Sequence, residues 1–205
     1  MISVTPVTPV TQLMQLMQLM QYSDTPFEIF TIGNLYTDTE LQTFIDYIEN
    51  ADVTNKRFTN SDFKNGKVVL PKWSKLMYER LMDHLPQQYV DKNGVQWEFV
   101  KCPHIIMYAK IASGEKFSIH TDTGYAYDDA TSEYSKFTFF TYLNDGFDGG
   151  NTQFYDNSFN RTSTIIPSRN KTLLFDIDLF HSGESVTKGC KMWIGSELVC
   201  RKIVK

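Results

Sequence analysis

The stretch Phe117-Ser-Ile-His120-Thr-Asp122 places an imidazole and a carboxylate two positions apart in a segment with strand-forming residues. In an extended strand, residues i and i+2 project from the same face, so these two side chains would lie side by side. Imidazole nitrogen and carboxylate oxygen are both ligands for divalent transition metals. The stretch therefore predicts one half of a metal site, and it requires a fold that brings a further ligand to it.

His181 is the candidate for that further ligand. It follows the apolar run at residues 173–180, which is typical of a buried strand. Two histidines and one carboxylate form the facial triad that leaves coordination positions open and characterises non-haem Fe(II) oxygenases. Because 59 positions separate Asp122 from His181 (181 minus 122), the triad requires a sheet that folds back on itself.

The composition bounds the class of protein. The chain has 205 residues, of which 41% are hydrophobic and 14% aromatic, and this suits a globular domain with a sizeable core. A net charge of −4 disfavours a polyanion-binding surface, so no nucleic-acid partner is expected. Cys102, Cys190 and Cys200 are odd in number and widely spaced, which fits reduced thiols better than a disulfide framework or a CxxC zinc site.

Targeting signals are not apparent. The N-terminus has no basic region before an apolar run, and no stretch reaches the roughly 18 consecutive apolar residues of a membrane span. We therefore expect a soluble, cytoplasmic protein with no signal peptide and no membrane partner.

The chain divides into two regions. Residues 1–25 repeat Thr-Pro-Val and Gln-Leu-Met with a three-residue period that fits neither a helical stripe nor a strand, and they are predicted to form a low-complexity, disordered tail. Residues 26–205 are predicted to form a single domain, in which Thr37 and Glu40 make a capping box before one helix and Pro71 begins a second that runs up to Pro86.

Short strands dominate the rest of that domain, and turn signals such as Asn144-Asp-Gly and Gly149-Gly-Asn separate them. The polar segment 55–67 is predicted to be a loop, and the polar stretch 123–136 to be a lid or substrate-binding loop beside the metal site. Many short strands at this spacing favour a sandwich or a jelly roll. The predicted strands are 27–32, 98–107, 116–120, 137–143, 152–155, 162–166, 172–176, 185–186 and 191–201.

An ordered set of residues resembles the Fe(II)- and 2-oxoglutarate-dependent dioxygenases, and within them the prolyl 4-hydroxylase-like branch. The resemblance implies an α+β fold, in which N-terminal helices pack on one sheet of a double-stranded β-helix (jelly-roll) core. The residues that carry it are Tyr108, Gly114, Phe117, His120, Asp122, Tyr142, Leu143, Asn144, Phe147, Gly149, Gly150, Asn151, Thr152, Phe154, Pro167, Phe175, His181, Ser182, Gly183, Val186, Gly189 and Lys191.

The resemblance also implies roles for particular residues. His120, Asp122 and His181 would hold Fe(II), with no catalytic residue beyond these ligands. Lys191 would bind the distal carboxylate of 2-oxoglutarate, and a buried ammonium group does need such an anion to offset its desolvation. Tyr108 would donate its hydroxyl to the same carboxylate, and Thr138 is a weaker candidate for that pocket.

The implied reaction consumes 2-oxoglutarate and O2, releases succinate and CO2, and hydroxylates a substrate C–H bond. A peptidyl proline in a protein or peptide is the leading substrate, and ascorbate is a candidate accessory cofactor. A carboxylate at Asp122 favours hydroxylation, because a small residue there would open a site for halide. The sequence leaves the oligomeric state open.

The chain departs from the family pattern after Lys191. Where relatives often continue with an aromatic residue and then Arg-x-Asp, this chain has Gly195 and Glu197, which puts the prime substrate in doubt. Three alternatives therefore stay open: the same chemistry on a non-prolyl substrate, a zinc hydrolase that uses the same three ligands, and a non-catalytic jelly-roll binding module.

Overall fold

The computed structural model describes residues 28–51, 63–124 and 127–204. Within these ranges the chain forms two helices, α1 (Asp38–Asn50) and α2 (Pro71–Met82), and fifteen strands. The tail predicted at residues 1–25 lies outside the described residues. The strands are β1 (Ile29–Gly33), β2 (Lys64–Val69), β3 (Gln88–Val90), β4 (Gln96–Lys101), β5 (Ile105–Ala112), β6 (Phe117–His120), β7 (Tyr127–Asp128), β8 (Glu133–Tyr142), β9 (Asp148–Gly149), β10 (Thr152–Tyr155), β11 (Arg161–Ile165), β12 (Lys171–Asp176), β13 (Phe180–Gly183), β14 (Val186–Lys188) and β15 (Cys190–Lys202).

Helix α1 begins with the predicted capping box. The backbone N–H of Glu40 donates to Thr37 Oγ1 at 3.2 Å, and the backbone N–H of Thr37 donates to Glu40 Oε2 at 2.8 Å. These bonds satisfy amide groups that have no partner inside the helix. The face that carries Leu41, Phe44 and Ile48 is fully buried in the main core, so α1 is attached to the sheet through its apolar stripe.

Helix α2 begins at Pro71, as predicted, but ends at Met82 rather than continuing towards Pro86. The backbone N–H of His84 bonds to the carbonyl of Leu81, three residues back, which tightens and closes the last turn. The residue before a proline also avoids the helical conformation. None of the helices in the described parts of the chain is long and apolar enough to cross a bilayer.

Two antiparallel sheets form the body of the molecule. In the described residues the major sheet has nine strands: its main path runs β1-β12-β8-β15-β4-β3, while β5 pairs with β15 and β2, and β7 pairs with β8. The minor sheet has four strands in the order β11-β10-β13-β6. The helices cover the outer face of the major sheet, and its inner face meets the minor sheet. This arrangement confirms the predicted double-stranded β-helix core with helices on one sheet.

Strand β15 organises the major sheet. Its 13 residues pair with β8 from Trp193 to Arg201, with β5 from Cys190 to Gly195 and with β4 from Val199 to Lys202. Because side chains alternate along a strand, Met192, Ile194 and Leu198 enter the core beneath the helices. Lys191, Trp193 and Glu197 face the space between the two sheets.

Three predicted boundaries were wrong. The predicted strand 98–107 is two strands, β4 and β5, because Pro103 lacks the N–H that a continuous ladder needs. The described end of the predicted loop 55–67 belongs to β2, which pairs with β5 although its first four residues are not apolar. The predicted loop 123–136 contains the short strand β7 and the first residues of β8.

Gly195 marks the closest approach of β15 to β8. A Cβ atom there would overlap the carbonyl oxygen of Phe139 and lie 2.6 Å from Phe140 Cβ. Because one of the obstructing atoms belongs to the backbone, the sheet itself would have to move to make room. The arginine of the family pattern is therefore excluded at this position by the sheet.

Gly195→Ala should lower the free energy of unfolding by about 1–3 kcal/mol, the usual cost of overpacking a dense interior. Gly33→Ala is the matched control, since Gly33 also lies in the major sheet but has no atom within 4 Å of the position that a Cβ would take. Its stability should stay within about 0.5 kcal/mol of the parent. Urea denaturation measures both, and equal effects would contradict the steric argument.

Candidate active site

The three predicted metal ligands converge at one end of the minor sheet. His120 is the last residue of β6, and His181 lies directly opposite it on β13. The two imidazole centroids are 4.2 Å apart. Asp122 completes the group, with Oδ1 3.6 Å from His120 Nε2 and Oδ2 3.7 Å from His181 Nε2. One ligand atom from each residue lies within 4.8 Å of the others, which is a spacing that can hold a metal ion.

Backbone carbonyls orient both imidazoles. His120 Nδ1 lies 2.7 Å from the carbonyl oxygen of Ser118, and His181 Nδ1 lies 3.0 Å from that of Leu179. A carbonyl only accepts, so each Nδ1 carries the proton and each Nε2 keeps its lone pair. The two lone pairs face Asp122 as metal ligands would require.

The sequence suggested that Asp122 lies in the same strand as His120. In the structure it lies two residues beyond the end of β6. Its backbone N–H donates to the carbonyl of Ile177 at 3.2 Å, which ties it to the turn before β13. The Thr138 hydroxyl donates to Asp122 Oδ2 at 2.6 Å. Thr138, predicted as a weak cosubstrate contact, thus holds the carboxylate in place and also lines the cavity described below.

The protonation states suit metal binding. Burial would raise the pKa of Asp122, but the two neighbouring histidines and the hydrogen bond from Thr138 outweigh it and lower the pKa. Burial lowers the pKa of His181, with the charge of Asp122 opposing that shift. The cluster therefore favours a carboxylate and a neutral imidazole, which are the forms that coordinate metals.

A cavity of about 360 Å³ lies between the two sheets, and the ligand cluster forms part of its wall. Its apolar lining comes from both sheets, including β6 of the minor sheet. Besides the ligands, its wall includes Lys67, Met107, Ile111, Phe117, Thr138, Phe140, Thr152, Gly183, Lys191, Trp193 and Glu197.

Lys191 is only 2% exposed and lines this cavity. Its Nζ donates to the carbonyl of Gly150 at 2.6 Å and lies 5.9 Å from the centre of the Tyr142 ring. Burial lowers the pKa of this ammonium to about 8, and the charge of Glu184 partly opposes the shift. A buried cation that faces a cavity beside a metal cluster is well placed to bind an anion.

Glycines make room for the Lys191 side chain. Gly149 and Gly150 both have positive φ, 75° and 67°, which confirms the predicted tight turn. A Cβ atom at Gly150 would lie 3.3 Å from Lys191 Cδ, and one at Gly183 would lie 3.8 Å from Lys191 Nζ. The turn between β9 and β10 therefore packs closely against the lysine that it accepts a hydrogen bond from.

The structure does not bring Tyr108 to this cavity. Tyr108 pairs with Ile194, whereas the cavity-facing Met107 pairs with Gly195, so Tyr108 points to the opposite face of the sheet. Its ring packs in the core beneath the helices, 5.8 Å from the ring of Tyr47. The contact expected between Tyr108 and 2-oxoglutarate is therefore corrected, because Tyr108 faces away from the cavity. An offset of one residue along a strand reverses the face of the sheet on which a side chain lies.

Among the polar residues of the cavity wall to which sequence reasoning gave no site role are Thr152 and Lys67. Thr152 lines the cavity, and its hydroxyl is 2.7 Å from that of Tyr142. Lys67 reaches the cavity from β2, which pairs with β5. Thr152 belongs to the Gly149-Gly-Asn-Thr152 string, which could have indicated its place in the site. Nothing in the sequence indicates Lys67, because only the pairing of β2 with β5 brings it to the cavity.

Comparisons with known proteins agree with this geometry. Residues 104–196 match the family model described as the 2OG-Fe(II) oxygenase superfamily. No curated protein matches the sequence at a significant level.

Solved structures share the fold at low sequence identity. The viral collagen prolyl hydroxylase of Paramecium Bursaria Chlorella virus-1, in its 2OG complex, is 18% identical with a TM-score of 0.55, over 88% of this chain and 98% of that one. A Trichoplax adhaerens prolyl hydroxylase, in complex with a hypoxia inducible factor peptide fragment, is 15% identical with a TM-score of 0.63, over 91% and 89%. HygX from Streptomyces hygroscopicus, with nickel and 2-oxoglutarate bound, is 12% identical with a TM-score of 0.57, over 90% and 86%.

At these identities the structural likeness shows the fold, and the sequence match over residues 104–196 supports the resemblance to this superfamily. The family implies Fe(II), 2-oxoglutarate and O2 as its reactants and cofactors, whereas none of these matches names ascorbate. Residues 104–196, which include the three candidate ligands and Lys191, therefore match the 2OG-Fe(II) oxygenase superfamily that the sequence motifs predicted.

Proposed function

We propose that this protein is a 2-oxoglutarate-dependent dioxygenase that hydroxylates a C–H bond of a peptidyl proline. The observation that carries the oxygenase assignment is a single cavity with a two-histidine, one-carboxylate cluster and a buried lysine in its wall. The triad alone fits several metals and reactions, but the lysine adds a binding site for an anionic cosubstrate.

The residues of the cluster fit Fe(II). His120 and His181 would bind through Nε2, since Nδ1 of each faces a backbone carbonyl, and Asp122 would bind through its carboxylate. Thr138 would keep that carboxylate oriented through its hydrogen bond to Oδ2. When bound, iron supplies the activation of O2, coupled to the oxidative decarboxylation of 2-oxoglutarate to succinate and CO2.

Lys191 would anchor the distal carboxylate of 2-oxoglutarate. Its ammonium group has already lost almost all contact with solvent, so an incoming carboxylate would offset a desolvation cost that the fold has imposed. The Thr152 hydroxyl lines the same cavity and is the candidate that replaces Tyr108 as a second donor. The sheet-bound position of Lys191 would fix the cosubstrate without ordering a loop.

The peptidyl proline assignment rests on the proteins that share the fold. Two of the similar structures are prolyl hydroxylases, and one of these holds a peptide fragment. The departures at Gly195 and Glu197 affect the substrate side of the cavity and leave the metal and cosubstrate residues in place. A non-prolyl substrate for the same chemistry is the first competing hypothesis.

The zinc hydrolase and binding-module hypotheses make different predictions. A hydrolase would act without O2 or 2-oxoglutarate, and it would give Lys191 no part in the reaction. A binding module would keep its full function in Asp122→Ala and His181→Ala variants that no longer bind metal. The titration below separates the oxygenase from both.

Anaerobic titration of the protein with Fe(II) and 2-oxoglutarate should produce the metal-to-ligand charge-transfer band of a chelated 2-oxo acid. His181→Ala should abolish the band, because one imidazole ligand is lost. Lys191→Ala should raise the dissociation constant of 2-oxoglutarate by about tenfold or more, since a charge-assisted hydrogen bond contributes about 1.5–3 kcal/mol. Absorbance spectroscopy measures each effect.

Lys171→Ala is the matched control for that titration, because Lys171 lies in the same sheet but its Nζ donates to the surface carbonyl of Ile166. Its affinity for 2-oxoglutarate should equal that of the parent. Absence of the band in the parent protein would refute the oxygenase assignment. A band unaffected by Lys191→Ala would refute the anchoring role alone.

The affinity for 2-oxoglutarate should also depend on pH. Since burial lowers the Lys191 pKa to about 8, the ammonium is charged below pH 8 and loses its proton above it. The cosubstrate anion binds the charged form, so its dissociation constant should be lowest below pH 8 and rise above it, approaching tenfold per pH unit. Lys191→Arg should flatten the profile, because arginine stays protonated throughout this range.

The prolyl assignment is tested by succinate formation with a panel of peptides. A proline-containing peptide should stimulate turnover, and the product should carry one added oxygen on proline by mass spectrometry. The same peptide with alanine in place of proline is the control and should not be oxidised. Oxidation of both peptides at another residue would retain the oxygenase and discard the prolyl assignment.

A further inference from the structure

The cavity is charged at two ends of one strand. Lys191, Trp193 and Glu197 all project from the inner face of β15 and line the cavity. Six residues of strand, roughly 20 Å at 3.3 Å per residue, separate the lysine from the glutamate. Gly195 lies between them and has no side chain. The cavity therefore presents a lysine and a glutamate, well separated along β15, to whatever enters it.

The metal cluster stands beside the Glu197 end. Glu197 pairs with Thr138 across the sheet, and the Thr138 hydroxyl is the group that holds Asp122. 2-Oxoglutarate is a dianion, so its distal carboxylate matches Lys191 and would be repelled by Glu197. If the cosubstrate reaches from Lys191 to the metal, the Glu197 end is the part of the cavity left for the second substrate.

Glu197 is held rigidly in that position. Its side chain is 1% exposed, it projects from the longest strand of the described chain, and its Oε2 accepts a hydrogen bond of 2.5 Å from Ser135. Burial raises its pKa to about 7, with the hydrogen bond from Ser135 and the charge of Lys67 opposing the shift and Asp122 adding to it. A carboxyl group accepts several hydrogen bonds, so Glu197 keeps acceptor positions besides the one that Ser135 uses, and its fixed position favours a donor of matching geometry.

A cationic residue reaches the cavity close to the same end. Lys67 on β2 pairs with Met107 on β5, and Met107 in turn pairs with Gly195, two residues before Glu197. Both Lys67 and Met107 line the cavity. This end of the cavity thus presents an acceptor at Glu197, a donor at Lys67 and an apolar surface between them.

We propose that Glu197 is a specificity-determining residue that accepts a hydrogen bond from an N–H group of the second substrate, with Lys67 facing a carbonyl or carboxylate oxygen of the same molecule. This inference rests on the proposed oxygenase function. The chemistry required is an N–H donor and an oxygen acceptor near the oxidised carbon. The backbone of a peptide carries this pair, and so does a free amino acid.

The test compares Glu197→Leu and Glu197→Gln in the full-length protein, loaded anaerobically with Fe(II) and 2-oxoglutarate and then given O2. The probes are a blocked proline-containing peptide, the same peptide N-methylated at each backbone amide in turn, and free L-proline. Succinate formation gives the KM for each probe, and the charge-transfer band gives the dissociation constant of 2-oxoglutarate. Ser196→Ala is the control, because Ser196 is the buried neighbour that faces away and donates to the Ile105 carbonyl.

Glu197→Leu should raise the KM of the effective probe by at least about tenfold, the loss of a hydrogen bond to a charged group, while 2-oxoglutarate affinity changes by less than about twofold. Methylation of one particular amide should have the same effect in the parent and no further effect in Glu197→Leu.

Glu197→Gln keeps an acceptor and tests the proposal even if the leucine variant folds poorly. The glutamine variant should retain most of the affinity for a neutral amide N–H but lose affinity for an ammonium group by at least about tenfold. This difference separates a peptide substrate from a free amino acid. Ser196→Ala should leave the KM unchanged.

The proposal is overturned if Glu197→Leu leaves the KM of every effective probe unchanged. It is also overturned if no probe carrying the N–H and oxygen pair stimulates a parent protein that shows the charge-transfer band. Loss of the band itself in the parent would instead refute the oxygenase function. Stimulation by a non-prolyl amide, with the expected Glu197 effect, would sustain this inference while discarding the prolyl assignment.

Discussion

The pairing of β13 with β6 is the constraint on which the site depends. It sets His181 opposite His120, so two ligands that are far apart in the chain occupy neighbouring positions on one sheet. The backbone carbonyls of Ser118 and Leu179, each two residues before its histidine, then fix both rings. Asp122 is added by a single backbone bond to Ile177. A shift of one residue in this pairing would turn one imidazole away from the other.

The major sheet supplies the charged side chains of the cavity wall that lie outside the metal cluster. Strand β15 carries the cavity residues on one face and core residues on the other, and its pairing with β5 and β8 makes their positions rigid. Lys191 and Glu197 are buried at a cost that the dense core around β15 must offset. Gly150 and Gly183 leave space for the lysine side chain. The cavity is therefore a product of two sheets, neither of which contains a complete site.

The sequence predicted the chemistry better than it predicted the borders of elements. The triad and Lys191 could be proposed from the sequence because their joint spacing matches the family. Each of these residues alone commonly has a purely structural role. Tyr108 was assigned a role from the resemblance alone, which does not fix strand register, and its register with Ile194 turns it to the core beneath the helices. Lys67 could not be found, because its approach to the cavity depends on which strand β2 pairs with.

From the sequence alone we could predict a resemblance to the 2OG-Fe(II) oxygenases, a jelly-roll class of fold, three candidate metal ligands and an anion-binding role for Lys191. The candidate ligands and the short strands follow from residue types and spacing, which are local properties of the chain, and the other predictions follow from the resemblance. Only the tertiary structure decided which face Tyr108 presents, that Thr138 supports Asp122, and that Glu197 and Lys67 meet at the end of the cavity beside the metal cluster. Those facts depend on strand pairing and register, which bring together residues from β2, β5, β8 and β15, and no local pattern encodes them.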